Sequence, residues 1–99
     1  MEKVQILVLC NNAEILPIVM RLIDTNPDWQ ATGAADEEQG LSLFNQRPFD
    51  LVLLGSGMDQ ATEHRLTPVC IAINPEVKFV QHYGGGSGLL KAEILGALG

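Results

Sequence analysis

Val4-Gln5-Ile6-Leu7-Val8-Leu9-Cys10-Asn11-Asn12 is an apolar run broken once, at Gln5, and stopped by two asparagines. A strand with one wet face alternates polar and apolar residues. This run does not, so it reads as a strand covered on both sides, as in a parallel sheet between helices. From Ala13 to Asp24 the residues Ile15, Leu16, Ile18, Val19, Leu22 and Ile23 share one helical stripe, with Asn12 as the N-cap. Pro17 comes late for a first turn and predicts a helix that starts loosely or bends. Asn26-Pro27-Asp28 turns the chain into a short strand of small residues, Trp29 to Ala35. Asp36 stands three positions before Gln39, with Glu37 and Glu38 between them, and starts a second helix that carries Leu41 and Phe44 inward and ends near Arg47-Pro48.

Phe49 to Leu54 is a second apolar strand, stopped by Gly55-Ser56-Gly57. Pro68 to Ile73 has the composition of a strand, but Leu66, Val69, Cys70 and Ile73 have helical spacing. Helix is preferred: a strand there would leave only Asn74 to Val77 before the next strand, Lys78 to Tyr83, too short for a parallel crossover. Pro68 must then lie near that helix's first turn or kink it. Gly84-Gly85-Gly86-Ser87-Gly88 is a loop, and Leu89 to Leu98 a last helix with Leu90, Ile94, Ala97 and Leu98 inward. The order βαβαβαβα predicts a three-layer α/β sandwich of the flavodoxin-like type, a four-stranded parallel sheet in order 2-1-3-4 whose ligand edge is the carboxyl end of the strands.

The 99 residues, 46% of them hydrophobic, suit one domain spanning residues 1–99 and large enough to fold without a metal or disulfide. Twelve acidic and six basic residues give a net charge of -6, and the cations are scattered singly, which disfavours nucleic acid and anionic membranes as partners. The N-terminus lacks the basic start of a secretory signal and Ile6 to Cys10 is too short for a span, so a cytoplasmic protein is expected. Cys10 and Cys70 sit in apolar segments without metal-ligand spacing and read as reduced, buried thiols. No cofactor or metal is expected.

Four stretches resemble the receiver domains of bacterial response regulators, the CheY-like family. Ile6 to Ile15 looks like the receiver opening, in which an acidic pair ends the first strand; Pro48 to Gly55 looks like the segment that presents the phosphoacceptor Asp, with Met58 near the family's Met-Pro step. Asn26-Pro27-Asp28-Trp29 and Gly33-Ala34-Ala35-Asp36 match the second strand and the turn after it. The resemblance covers residues 4–59 well and implies signal transduction. The chemistry departs from it: the acidic-pair positions hold Cys10 and Asn11, and the acceptor position holds Gly55, which cannot take a phosphoryl group. An amide and a thiol replace the hard oxygens that Mg²⁺ prefers. Lys91 lies in the last helix and does not stand for the family's lysine, whose strand has no counterpart here. The resemblance therefore implies a shortened pseudo-receiver, non-catalytic, working as a regulatory or protein-interaction module.

A second family carries a phosphorylated Cys directly after its first strand, the IIB components of sugar phosphotransferase systems, and there Cys10 would be the catalytic residue. The loop from Asn11 to Pro17 has no Gly or hydroxyl to cradle a phosphate, and Glu14 would repel one. A nucleophilic thiol also needs a positive neighbour, and only the first helix's N-terminus is near. A third reading makes Ser56, Gly57, Gly84, Gly85, Gly86 and Ser87 anion-binding loops of a metabolite sensor; the plain alternative is tight turns and a helix cap. His82 and Tyr83 close the last strand at the same edge and read as a packed or hydrogen-bonded pair, and His64 as solvated. The exposed edge of the last strand, with Phe79 and Val80, and the apolar last helix, with Leu89, Leu90, Ile94 and Leu95, predict a protein partner or a homodimer.

Overall fold

The computed structural model describes residues 3–55, 57–82 and 87–98, the last segment by backbone alone at 87–89. Its elements are β1 (Val4–Leu9), α1 (Ile15–Asp24), β2 (Trp29–Ala34), α2 (Glu37–Gln46), β3 (Leu51–Leu54), α3 (Gln60–Ile73), β4 (Lys78–Gln81) and α4 (Ser87–Leu98). All strand pairs are parallel and the sheet order is β2-β1-β3-β4. This is the flavodoxin-like α/β fold read from the sequence.

Because successive strand residues face opposite sides, β1 feeds two cores. Ile6, Val8 and Cys10 join Val19 and Ile23 of α1, Leu51 and Leu53 of β3, Val80 of β4, and Leu90 and Ile94 of α4. Leu7 and Leu9 join Phe44 of α2, Phe49, Val52 and Leu54, and Leu66 and Cys70 of α3. Both faces are therefore dry, which explains the unbroken apolar run from Ile6 to Cys10.

Helix starts follow their caps. Asn12 accepts the backbone N–H groups of Glu14 and Ile15 through Oδ1 at 2.9 and 3.2 Å, and its carbonyl accepts those of Ile15 and Leu16. Regular helix begins only at Ile15, which puts Pro17 inside the first turn; the loose start is as expected. Asp36 accepts the Gln39 N–H at 2.8 Å, while the Gln39 carboxamide accepts the Ala35 N–H at 2.7 Å.

Several expectations need correction. In α1 the buried stripe is Val19 and Ile23 with Leu16 and Met20 beside them; Ile15 and Ile18 are exposed. Helix α3 starts at Gln60, so Pro68 is interior rather than near the first turn, and its missing N–H removes the bond that would reach the His64 carbonyl. Its inward residues are Thr62, Leu66 and Cys70, four apart, while Val69 and Ile73 face out. Phe49 precedes β3 rather than opening it, and its ring stacks on Phe44 with centroids 6.0 Å apart. Strand β4 ends at Gln81; Tyr83, expected as its last residue, lies outside the described residues.

Helix α4 lies across the sheet. Leu90 and Lys91 border the same cavity as Ile23 and Trp29 at the α1–β2 corner, and Leu98 borders a depression with Asp50 and Lys78 where β3 and β4 begin. Val80, Leu90 and Ile94, expected at an interface, are thereby core residues of the chain itself, Leu90 only 2% exposed. Phe79 is half-buried against the second core, and of the expected α4 surface Leu95 is open, 50% exposed. The Leu89 side chain lies outside the described residues.

Candidate functional site

Four strand ends meet at the carboxyl edge of the sheet, each set by the backbone ladder. The Cys10 N–H donates to the Ala34 carbonyl at 3.0 Å, Gly55 N–H to Leu9 O at 2.7 Å, and His82 N–H to Leu54 O at 2.9 Å. Cys10 and Gly55 therefore lie side by side, as the receiver resemblance requires. A β-carbon on Gly55 would stand 3.3 Å from the Leu9 carbonyl and 3.4 Å from the Cys10 β-carbon, tight on both sides.

The thiol of Cys10 is buried and points back at the Asn12 carbonyl, 3.7 Å away. The N-terminal N–H groups of α1, the donors that an anion or thiolate beside Cys10 would need, are taken up by Asn12. Asn11 is exposed, and its amide lies across Gly57, which holds a φ of +85°. Gly57 is thus a turn residue with a side chain on it. Ser56, Gly84, Gly85 and Gly86 lie outside the described residues, as does the Ser87 side chain.

Beside Asn11 a shallow depression of about 540 Å³ opens between α2 and α3. Its rim is acidic, with Asp36, Glu37, Glu38 and Asp59, against the cation of Arg65. Most of these acids have structural partners. Asp36 caps α2, and Asp59 caps α3 by accepting the Thr62 N–H at 3.0 Å and hydroxyl at 3.1 Å. The Arg65 guanidinium grips both carboxylate oxygens of Glu37, with Nε 3.1 Å from Oε2, and also reaches the Thr62 hydroxyl at 3.3 Å. Arg65 holds the Glu37 carboxyl below the usual carboxylate range, and the Thr62 N–H and hydroxyl do the same for Asp59. Among the described residues no group of three His, Cys, Asp or Glu side chains is placed to hold a metal ion.

At the β4 end, His82 Nδ1 lies 2.6 Å from Glu93 Oε1, a half-buried link between the strand and α4. The hydrogen-bonded role expected for His82 is met by a partner eleven residues on, with Tyr83 outside the described residues. Cys70 lies far from this edge, and burial pushes its thiol up to about 11. His64 is exposed. The sequence reading missed the Glu37–Arg65 clasp and the Asp59 cap. The cap had a signal, an Asp directly before the helical stretch; the clasp joins residues 28 apart and had none.

No protein-family model matches the sequence, and no curated protein is significantly similar to it. Solved structures do match. A CheY-like response regulator receiver domain from Methanospirillum hungatei JF-1 superposes with a TM-score of 0.70 over 97% of this chain and 76% of that one, at 19% identity. The two share the flavodoxin-like α/β fold. The lactose-specific IIB component domain of the phosphoenolpyruvate:carbohydrate phosphotransferase system from Streptococcus pneumoniae matches with a TM-score of 0.66 over 98% and 92% of the chains, at 17% identity. A third match, TM-score 0.58 over 98% and 79% at 19% identity, is to a structure of the CheA3 P1 domain in complex with CheY6 from R. sphaeroides. The receiver fold and the IIB fold thus share this framework, and the residues at the carboxyl edge must separate them. No helix among the described residues is long and apolar enough to cross a membrane.

Proposed function

We propose that the chain is a receiver-like module of bacterial signal transduction that takes no phosphoryl group and acts through contacts with other proteins. The observation that carries this reading is the residue set at the ends of β1 and β3: Cys10, Asn11 and Gly55, with no carboxylate among them. Phosphoryl transfer to a receiver needs a carboxylate acceptor and hard oxygen ligands for a divalent ion. Gly55 offers no acceptor, and of the nearby acids Asp36 and Asp59 are engaged as caps and Glu37 by Arg65. A protein partner fits the receiver neighbour that is itself seen in a complex. The cytoplasm is the compartment that agrees with two free, buried thiols. Incubation with acetyl phosphate and Mg²⁺ tests the proposal, which expects the chain to keep its unmodified mass.

One observation favours a second reading, the IIB match over nearly the whole of both chains. It would make Cys10 a phosphocysteine. Against it stand the burial of Cys10 and the consumption of the α1 donors by Asn12. Alkylation of Cys10 as a function of pH separates the two readings.

A further inference from the structure

The two edges of the sheet are finished differently. Strand β2 turns its odd-numbered residues outward, and two of their three donors are occupied: Trp29 N–H gives to Asn26 O at 3.1 Å and Ala31 N–H to Asp24 Oδ1 at 2.9 Å, while the Gly33 N–H has no partner among the described residues. A charged side chain bonded onto an edge blocks further strand addition. Among the described residues no side chain is bonded onto the outer edge of strand β4. Lys78 and His82 turn their N–H groups in to Asp50 O and Leu54 O, so Phe79 and Gln81 turn theirs out. Their N–H and C=O groups have no hydrogen-bond partner among the described residues.

We infer that this edge pairs with the same edge of a second copy, antiparallel across a two-fold axis at Val80. Outward-facing residues must pair with outward-facing residues, so the register that uses every free group on Phe79 and Gln81 sets each Phe79 against the partner's Gln81 and each Gln81 against the partner's Phe79. Four backbone hydrogen bonds close, and the two sheets become one of eight strands. In that register Val80 meets its own symmetry mate, and Lys78 lies directly opposite the partner's His82, with Cα atoms ~4.5 Å apart as in any pair between the bonded ones. Lys78, Val80 and His82 share the sheet face that carries α4. The exposed Lys78 ammonium is then brought to the partner's His82–Glu93 pair, and the reciprocal contact forms on the other side of the axis. The charge complementarity and the self-matching register both name a second copy as the occupant. The contact does not depend on the proposed function, since an open edge pairs whatever happens at the carboxyl end. A four-residue strand pair is a small interface, so the expected affinity is micromolar.

Sedimentation equilibrium of the full chain across the micromolar range tests this, with four variants. The parent chain should show a monomer–dimer equilibrium. Val80→Cys should form a disulfide-linked dimer under mild oxidation, where the parent, with its two buried thiols, does not. Lys78→Glu should raise the dissociation constant at least about tenfold by facing like charge across the axis, and adding Glu93→Lys should restore it. Gln81→Pro deletes an outward N–H without touching the β3 ladder and should give a folded monomer by circular dichroism. Should Gln81→Pro fail to fold, the charge swap and the cross-link decide alone. A parent chain that is monomeric throughout overturns the inference and leaves the edge to a strand of another protein. So does a dimer that Lys78→Glu leaves unchanged and Val80→Cys fails to cross-link.

Discussion

The side-chain amide of Asn11 lies against the α-carbon of Gly57, so that a β-carbon there would overlap it, and Gly57 holds a left-handed φ of +85°. Two loops, one after β1 and one after β3, are tied together by that contact at the place where a receiver would hold its metal. Gly57→Ala should cost about 1–2 kcal/mol from the backbone conformation alone, with the overlap adding to it. Urea denaturation measures the loss, and Asn11→Ala in the same chain should recover the steric part and leave the conformational part.

Burial separates two leucines of α4. Leu90→Ala should destabilise by about 2–5 kcal/mol, since Leu90 fills the core between α1 and β2. Leu95→Ala should stay within about 0.5 kcal/mol, because Leu95 is half exposed. Equal losses would mean that α4 is rotated on the sheet.

Acid should weaken the α2–α3 side. The carboxyls of Asp59 and Glu37 are held low in the folded chain, so their contribution is present above the unfolded value, about 4, and is lost as pH falls through the lower folded values. Asp59→Asn keeps a good cap residue but removes the charge. Urea midpoints measured from neutral pH down to about pH 3 should therefore fall less steeply for Asp59→Asn than for the parent.

Both thiols should react slowly with a maleimide or a disulfide reagent in the folded chain and quickly after unfolding. Burial raises the Cys70 thiol to about 11, and Cys10 is as deeply enclosed. Rapid modification near pH 6 that Cys10→Ser abolishes and Cys70→Ser does not would transfer the assignment to the IIB reading.

The strands and the sheet order were legible because Ile6 to Cys10 and Leu51 to Leu54 must be dry on both faces, a condition that shows directly as unbroken apolar runs. Helix faces were less legible. Ile15, Ile18, Val69 and Ile73 are apolar by composition yet exposed, because periodicity gives a stripe whose centre is fixed only by how the helix docks. Pro68 left the start of α3 open between two places: Asp59 caps the helix well upstream, which makes the exposed proline interior. At the carboxyl edge the residue types were readable, Cys10, Asn11 and Gly55 among them. That Asn12 uses up the α1 donors, and that Arg65 clasps Glu37 across 28 residues, depended on geometry a linear reading does not carry.

The most direct test of a carboxyl edge without phosphoryl chemistry is the intact mass of the full chain after incubation with acetyl phosphate and Mg²⁺, beside an active receiver domain treated in the same way. The control should carry an adduct and this chain should keep its unmodified mass, with and without Mg²⁺. A stable adduct of one phosphoryl group would contradict it, and peptide mapping of that adduct to Cys10 would turn the chain into a phosphocarrier.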